Sequence, residues 1–422
     1  MEYWLYIFTS FAALSYIFFK KRNFDLFTIL IICSFYYSSP LLLGVLYDPD
    51  KHSIINVSSK IYWFYSSFFC ASILGAYKFD KGNIFLFRGK IFNHSALQFY
   101  LFITCIIFLM LVMIDSSIFF QKEVGEKSVT QFGPLWAAFA ASTLILLSLS
   151  IIVSNNYFFV IASIFLLMTL IAGSRAYFAA GAIIYALGTY KYSPPFVIAT
   201  KFSLLFKILL GFFFLFLWKI AYPFVLVGQY TQALQSIVDP VGIGFRLFRG
   251  SEAGLVMLNF HHAIELFEYS SGSILELMVV KLIPFLHSEF ATVFELNGST
   301  FSDILNIKYY QTVNYGMASN LWGSIYYVSG PLGLLLFLAF FIWLVTTLNK
   351  LIKLNNLWSH HLVGPSAFLC FYGTRLEVGS LAYFFYVNIT MLVFFRIMVS
   401  LLKHKKHYKP NITYGSTKLS LK

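Results

Sequence analysis

Apolar runs long enough to cross a membrane recur along the whole chain, and no other feature constrains its fold as strongly. A helix needs roughly 17–25 mostly apolar residues to cross the hydrocarbon layer. Charged residues make up only 11% of the chain, whereas soluble domains carry about 25%. The sequence therefore predicts an all-α, polytopic integral membrane protein with about eleven transmembrane helices. The predicted spans are residues 3–19, 24–46, 61–77, 96–114, 135–153, 157–172, 176–190, 202–222, 321–348, 362–373 and 380–402.

The positions of lysine and arginine predict the orientation of these spans. Half of them lie in short clusters between the spans or after the last one, at residues 20–22, 78–90, 191–201, 350–353 and 403–409. The positive-inside rule assigns these clusters to the cytoplasm. The amino terminus is then outside and the carboxyl terminus inside, which requires an odd number of spans. This distribution accounts for the net charge of +13 without a nucleic-acid partner, and we expect the clusters to set topology and little else.

The predicted spans divide the chain into four parts. Residues 1–227 form an amino-terminal bundle of about eight spans, and residues 228–320 form one long outer loop. The last spans occupy residues 321–402, and a basic cytoplasmic tail follows at 403–422. Loops longer than about 12–15 residues are usually functional or disordered. Apolar residues recur at helical spacing in the stretch 252–269 of the loop, which predicts a helix that lies at the membrane interface or caps the bundle.

Four arginines depart from the charge pattern because they fall on the predicted outer side: Arg175, Arg246, Arg249 and Arg375. Arg175 and Arg375 lie at the outer ends of short spans, and the other two lie early in the long loop. Ionisable groups at membrane depth are costly, so a functional role is the first hypothesis. Arginine suits bidentate binding of phosphate oxygens. We therefore predict that Arg175, Arg249 and Arg375 bind a lipid pyrophosphate at the outer leaflet, with Arg246 in support.

The competing interpretation is that each arginine reaches lipid headgroups or pairs with an acidic neighbour. Glu252, Glu377 and Asp239 are available for such pairs. In the functional interpretation, Glu252 and Glu377 are instead candidates for substrate contact.

Other outer residues offer further candidates. His287 follows a helix breaker and is a candidate general base, and Tyr315 is a candidate for stacking on a sugar ring. His261 and His262 are adjacent, so a helix would point them about 100° apart, which makes a poor metal pair. The sequence contains no phosphate-cradling loop, nucleophile elbow or zinc-protease motif. We therefore predict neither a metal nor a cofactor.

Four short stretches resemble one family of membrane enzymes. They are Ile171–Tyr177 with its Gly-Ser-Arg hairpin, Leu247–Glu252, Asn320–Tyr327 leading into Gly330–Gly333, and Thr374–Glu377. Together they are similar to the Wzy-type O-antigen or capsule polysaccharide polymerases, and in particular to the branch that includes the enterobacterial common antigen polymerase. The sequence departs from the family at one point, because family members often carry a histidine just before the span that follows the long outer loop. Asn314–Met317 stands in that region here, and His287 is the nearest upstream histidine.

The resemblance implies a fold, a reaction and a location. The fold would be of the glycosyltransferase C type, in the bacterial inner membrane. The enzyme would transfer a growing glycan from its undecaprenyl pyrophosphate carrier to the non-reducing end of a new lipid-linked repeat unit at the outer face. The reaction would use no metal and no nucleotide sugar. The implied partners are the undecaprenyl-pyrophosphate-linked oligosaccharide, membrane lipid and a chain-length regulator protein.

Three alternatives remain open at the level of sequence. An O-antigen ligase would use the same carrier and a similar outer loop, but its acceptor would be the lipid A core. A lipid-linked oligosaccharide flippase or other transporter would belong to a different class, and the single dominant loop speaks against it because many transporters are built from repeats. A membrane scaffold without catalytic activity is the third.

Overall fold

The structure is a computed structural model. It describes residues 1–19, 22–48, 53–81, 94–114, 133–172, 174–190, 228–238, 252–267, 301–310, 319–353 and 357–407, with isolated positions between 195 and 225. Helices dominate these residues. They are α1 (Glu2–Phe19), α2 (Leu26–Ser38), α3 (Ser59–Lys81), α4 (His94–Ile114), α5 (Gly133–Val153), α6 (Asn156–Ile171), α7 (Arg175–Tyr190), α8 (Tyr230–Val238), α9 (Glu252–Leu266), α10 (Phe301–Tyr309), α11 (Leu321–Lys353), α12 (Leu357–Tyr372) and α13 (Val378–His407).

Three short elements complete the described structure. A 3₁₀ helix, Ser39–Leu43, extends α2. An antiparallel hairpin then follows, formed by β1 (Val45–Asp48) and β2 (Ser53–Asn56). A second 3₁₀ turn, Gly373–Arg375, joins α12 to α13.

Several helices are long and apolar enough to cross a membrane. Five such stretches occur in the described residues: Leu26–Leu43, Ala96–Ile114, Leu135–Val153, Leu321–Lys353 and Leu381–Met398. Two further apolar helices, α6 and α7, are shorter. Large apolar side chains lie exposed along these helices, a surface that is typical of contact with lipid. They include Phe102, Leu109, Met113, Leu332, Leu336, Trp343 and Ile397. The chain is therefore a helical membrane protein.

Ten of the eleven predicted spans coincide with a helix of the structure. The predicted span at 202–222 lies almost entirely outside the described residues, so the count of eleven remains a prediction. The span predicted at 24–46 ends early as an α-helix, because Pro40 begins a 3₁₀ helix and Gly44 turns the chain at a φ of +72°. At the other terminus, α13 continues five residues into the predicted tail and ends at His407.

The hairpin is the one departure from the all-α prediction in the described residues. β1 and β2 pair with Val45 opposite Asn56 and Asp48 opposite Ser53. β1 begins inside the predicted span 24–46, and β2 lies between that span and the next, which is predicted to begin at residue 61. The pairing satisfies backbone groups of β1, the strand that contacts α9.

Helix α12 occupies the centre of the bundle. It contacts α2, α5, α7, α11 and α13, and side chains such as Ala367 and Leu369 are fully buried. Its central place explains why this span is less uniformly apolar and shorter than its neighbours, because protein rather than lipid surrounds it. The turn that ends α12 therefore emerges among several helices, and this turn carries Arg375.

Helix α9 is part of the bundle and not a surface helix. It packs on α11, α2 and β1, and nearly every side chain from Ala253 to Ala263 is buried. The amide of Asn320 donates to the carbonyl of Val256 at 2.8 Å, which fixes the start of α11 against α9. The sequence predicted a helix here that lies at the membrane interface or caps the bundle, and the burial of α9 against α11 and α2 favours the second alternative.

Helix α11 breaks inside its length. Gly330 has a φ of +64° and a ψ of −165°, and Pro331 follows. A side-chain carbon at Gly330 would lie 2.6 Å from the ring of Phe267, at the carboxyl end of α9. The break therefore lies where α9 meets α11.

The segments assigned to the cytoplasm meet at one end of the bundle. Arg22 is buried and pairs with Asp25 at 2.6 Å and with Asp80 at 3.4 Å. The Asp25 carboxylate also accepts hydrogen bonds from the Asn349 amide at 2.9 Å and from the backbone N–H of Thr28 at 3.0 Å. These contacts join α2, α3 and α11. The expectation that basic residues at this end only set topology is therefore wrong for Arg22.

Candidate functional site

The turn after α12 brings together side chains from three elements. Gly373–Arg375 forms a single 3₁₀ turn, Leu376 returns to extended backbone, and α13 begins at Val378. The carbonyl of Glu377 accepts the N–H of Leu381, which starts the new helix. Arg375 is thereby directed from the end of the central helix toward α9 and α2.

The guanidinium of Arg375 forms an ion pair with Glu252, the first residue of α9. Nη1 of Arg375 donates to Oε1 of Glu252, and the hydroxyl of Tyr37 donates to the same oxygen at 3.3 Å. The ring of Tyr372 lies 4.8 Å from the guanidinium carbon, a cation–π distance. Two donors from different helices therefore converge on one carboxylate oxygen.

This ion pair is partly accessible. The Arg375 side chain is 24% exposed and that of Glu252 is 17% exposed. Burial opposes the charge of Arg375, but nearby Tyr372 and Glu252 outweigh burial and raise its pKa above the usual range. Arg375 is therefore a fixed cation, and its partner is one of the carboxylates that the competing interpretation named.

Glu377, predicted as a substrate contact, makes a tertiary contact within the protein. Its carboxylate accepts the backbone N–H of Ser302 at 2.9 Å, in the first turn of α10. A carboxylate at this position satisfies a free N–H group of the helix end and favours the helix dipole. Glu377 is also buried. The described geometry thus supports an anchor for α10.

The start of α7 lies at the same end of the bundle. The connection from α6 is tight, since α6 ends at Ile171 and Arg175 is the first residue of α7. The ring of Tyr177 packs on Phe368 of α12 with centroids 5.6 Å apart. The predicted hairpin is therefore present and lies beside the helix that carries Arg375. The Arg175 side chain itself lies outside the described part.

The remaining predicted site residues are not among the described residues. They are Arg246, Arg249, His287, Tyr315 and the acidic alternative Asp239.

A cluster on α9 was not identified as a unit from the sequence. The carboxylate of Glu265 lies 3.4 Å from Nε2 of His261 and 3.2 Å from Nδ1 of His262. The Tyr309 hydroxyl donates to it at 3.0 Å, and the Tyr309 ring stacks on His262 with centroids 3.8 Å apart. The spacing of three and four residues to Glu265 was the available signal, because such residues are neighbours on a helix.

The electrostatics of this cluster favour neutral histidines. Burial lowers the pKa of both His261 and His262, although Glu265 acts in the opposite direction. Nδ1 of His261 and Nε2 of His262 have no hydrogen-bond partner among the described residues. In that same part of the chain, no three histidine, cysteine or acidic side chains form a group that could hold a metal ion.

At Arg375 a permanently charged guanidinium and a hydroxyl group donate to one carboxylate oxygen of Glu252, an arrangement of donors that is suited to an anion. Comparisons with protein-family models, with curated proteins and with solved structures gave no match to this chain.

Proposed function

We propose that this protein is a glycosyltransferase of the bacterial inner membrane that polymerises oligosaccharide repeat units carried on undecaprenyl pyrophosphate. It would transfer the growing glycan to the non-reducing end of a new lipid-linked repeat at the outer face. The four stretches that resemble Wzy-type polymerases motivate this proposal. The fold of the glycosyltransferase C type, the eleven spans and the long periplasmic loop belong to the same proposal.

The observation that carries the proposal is the convergence of Arg375 and Tyr37 on one anionic oxygen. A lipid pyrophosphate gains negative charge as the glycosidic bond to it breaks. Donors already held in place stabilise such charge without reorganising, and removing one typically lowers the rate by about 10²–10³. Arg375 has this character because the ion pair with Glu252 and the ring of Tyr372 hold its guanidinium in place.

Two further arginines join Arg375 in the proposed mechanism. Arg249 precedes Glu252 by three residues, so the chain can separate their Cα atoms by roughly 11 Å at most. Arg175 opens α7 beside α12. Arg175, Arg249 and Arg375 would bind the pyrophosphate, and Arg246 would support them. His287 would take the proton of the acceptor hydroxyl, and Tyr315 would contact the sugar. The mechanism invokes no metal or cofactor.

The proposal is tested with purified full-length protein and lipid-linked repeat units. We expect Arg375→Ala to lower polymer formation by about 10²–10³, as expected for loss of one charge-stabilising donor. Arg396→Ala is the matched control because Arg396 is an exposed arginine far along α13 from the turn. Equal polymer length and amount from wild type and Arg375→Ala at equal expression would refute the role of Arg375.

A deletion strain separates the polymerase from the alternatives. Loss of a polymerase leaves single repeat units on the lipid A core, whereas loss of a ligase leaves bare core. A flippase would move lipid-linked units across vesicle membranes without elongating them. Bare core in the deletion strain would replace the polymerase proposal with a ligase, and flipping without elongation would replace it with a flippase.

A further inference from the structure

We infer that Glu252 occupies the place of a substrate phosphate oxygen, so that substrate binding and the Glu252–Arg375 ion pair exclude one another. This inference rests on the proposed function, and it adds a displaceable internal anion to the pyrophosphate site. The ligand class is a pyrophosphate or phosphate monoester, either free or on a lipid.

The geometry of the donors supports this exchange. Nη1 of Arg375 and the hydroxyl of Tyr37 both point at Oε1 of Glu252. A carboxylate oxygen and a phosphate oxygen accept the same charge-assisted hydrogen bonds from a guanidinium. The position of Oε1 therefore marks a subsite where a phosphate oxygen would meet both donors without moving either helix.

Exchange of the Glu252 carboxylate for another anion costs less free energy than breaking the ion pair and leaving Arg375 without a counter-ion. A partly buried guanidinium left without a counter-ion is costly. Exchange of one anion for another keeps Arg375 compensated at every stage. The partial exposure of both side chains, 24% and 17%, leaves the pair accessible to an incoming anion.

Displacement of Glu252 would also act on the outer loop. Glu252 is the first residue of α9, and the far end of α9 places Phe267 against the break at Gly330 in α11. Release of Glu252 would remove one of the contacts that hold the start of α9 to the end of α12. Substrate binding would then free the beginning of the loop helix while its middle remains packed on α11 and α2.

The test measures binding of inorganic pyrophosphate to the full-length protein in lipid nanodiscs. We expect Glu252→Gln to bind pyrophosphate about tenfold more tightly than wild type, because the amide keeps the shape and removes the competing charge. Glu252→Asp keeps the charge but shortens the side chain, so it should also bind more tightly than wild type. Glu265→Gln is the matched control on the same helix, and its affinity should equal that of wild type.

Two substitutions examine the donors of the subsite. In the Glu252→Gln background, Arg375→Ala should abolish binding and Tyr37→Phe should weaken it. Equal or weaker binding by Glu252→Gln than by wild type, with thermal unfolding showing a folded protein, would overturn the inference. Glu252 would then serve only to hold Arg375 in place.

The outcomes also separate this inference from the proposed function. Tighter pyrophosphate binding by Glu252→Gln together with no polymer from lipid-linked repeats would support the subsite and refute the polymerase. Polymer formation by a Glu252→Gln protein whose pyrophosphate affinity equals that of wild type would support the polymerase and refute the subsite. Repeating the titration with undecaprenyl pyrophosphate shows whether the lipid carrier binds better than the free anion.

Discussion

At the residue scale, two arginines of this membrane bundle belong to polar groups that join helices. Arg375 links α12 to α9, and Arg22 links the start of α2 to α3. Uncompensated charges inside a membrane protein are costly, so each group must satisfy its members locally. The two arginines differ in exposure, because the Arg375 side chain is 24% exposed whereas that of Arg22 is 2% exposed. This difference makes Arg375 the better candidate for a ligand site.

The histidine cluster on α9 predicts a stability that depends on pH. Burial lowers the pKa of His261 and His262 from the ordinary 6.5, so the unfolded chain takes up protons at a higher pH than the folded protein. The stability that the neutral histidines contribute is fully present above the pKa of histidine in the unfolded chain. It is lost as the pH falls through the lower pKa values of the folded protein. We expect the melting temperature in detergent to decrease as the pH is lowered from about 7.5 to about 5.

The groups that face these histidines define the controls for this measurement. Glu265 lies on α9, Tyr309 on α10 and Asp48 on β1. Hydrogen bonds to Glu265 lower its pKa despite its burial. Glu265 therefore stays ionised over this pH range, and its charge limits the loss of stability when the histidines become protonated. His262→Asn should flatten the pH profile. A midpoint that rises on acidification would contradict the prediction.

The contacts of the candidate site residues could not be predicted from the sequence. Charge position alone selected Arg375, and its partner Glu252 lies 123 residues away along the chain. No local pattern indicates a pair of that separation, because it depends on how α9 packs against α12. Glu377 shows the same limit, since its contact with the start of α10 comes from tertiary packing.

At the element scale, helix existence followed directly from apolar run length, whereas interruptions did not. Lipid exposure leaves backbone groups no partner except the helix itself, so long apolar runs become helices. The predicted span 24–46 includes the first two residues of β1, because apolar run length alone does not show that the α-helix ends before Pro40 and Gly44. Gly330-Pro331 was part of a motif in the sequence, but only the structure places the break against Phe267.

Gly330 provides the prediction at this scale. Its φ of +64° and ψ of −165° lie in a region that is essentially restricted to glycine. We expect Gly330→Ala to destabilise the protein by about 1–3 kcal/mol from backbone strain, with a further loss from contact with Phe267. Thermal unfolding in detergent measures the total.

Two variants separate these causes. The double variant Gly330→Ala, Phe267→Ala removes the ring contact and should retain the backbone penalty. Gly364→Ala is the control, because a side-chain carbon there would meet Leu144 at an ordinary 3.5 Å. If Gly330→Ala were as stable as Gly364→Ala, the break would carry no conformational constraint.

At the scale of the whole molecule, the structure groups the connecting segments into two ends. The hairpin, α9 and the 3₁₀ helix after α2 contact one another at one end. Arg22, Asp80 and Asn349 meet at the other. In the predicted topology the first of these ends faces outward and the second faces the cytoplasm.

The orientation of these ends in the membrane yields the last prediction. We expect a cysteine at Ile54, an exposed residue of the hairpin, to react with a membrane-impermeant maleimide in intact cells with a permeabilised outer membrane. A cysteine at Lys78, which is exposed near the end of α3, should react only after lysis. Cys33, Cys70, Cys105 and Cys370 are first replaced by serine. The reverse pattern would place Arg375 and Glu252 on the cytoplasmic side, where a periplasmic polymerase could not use them, so this labelling tests the topology on which the proposed site depends.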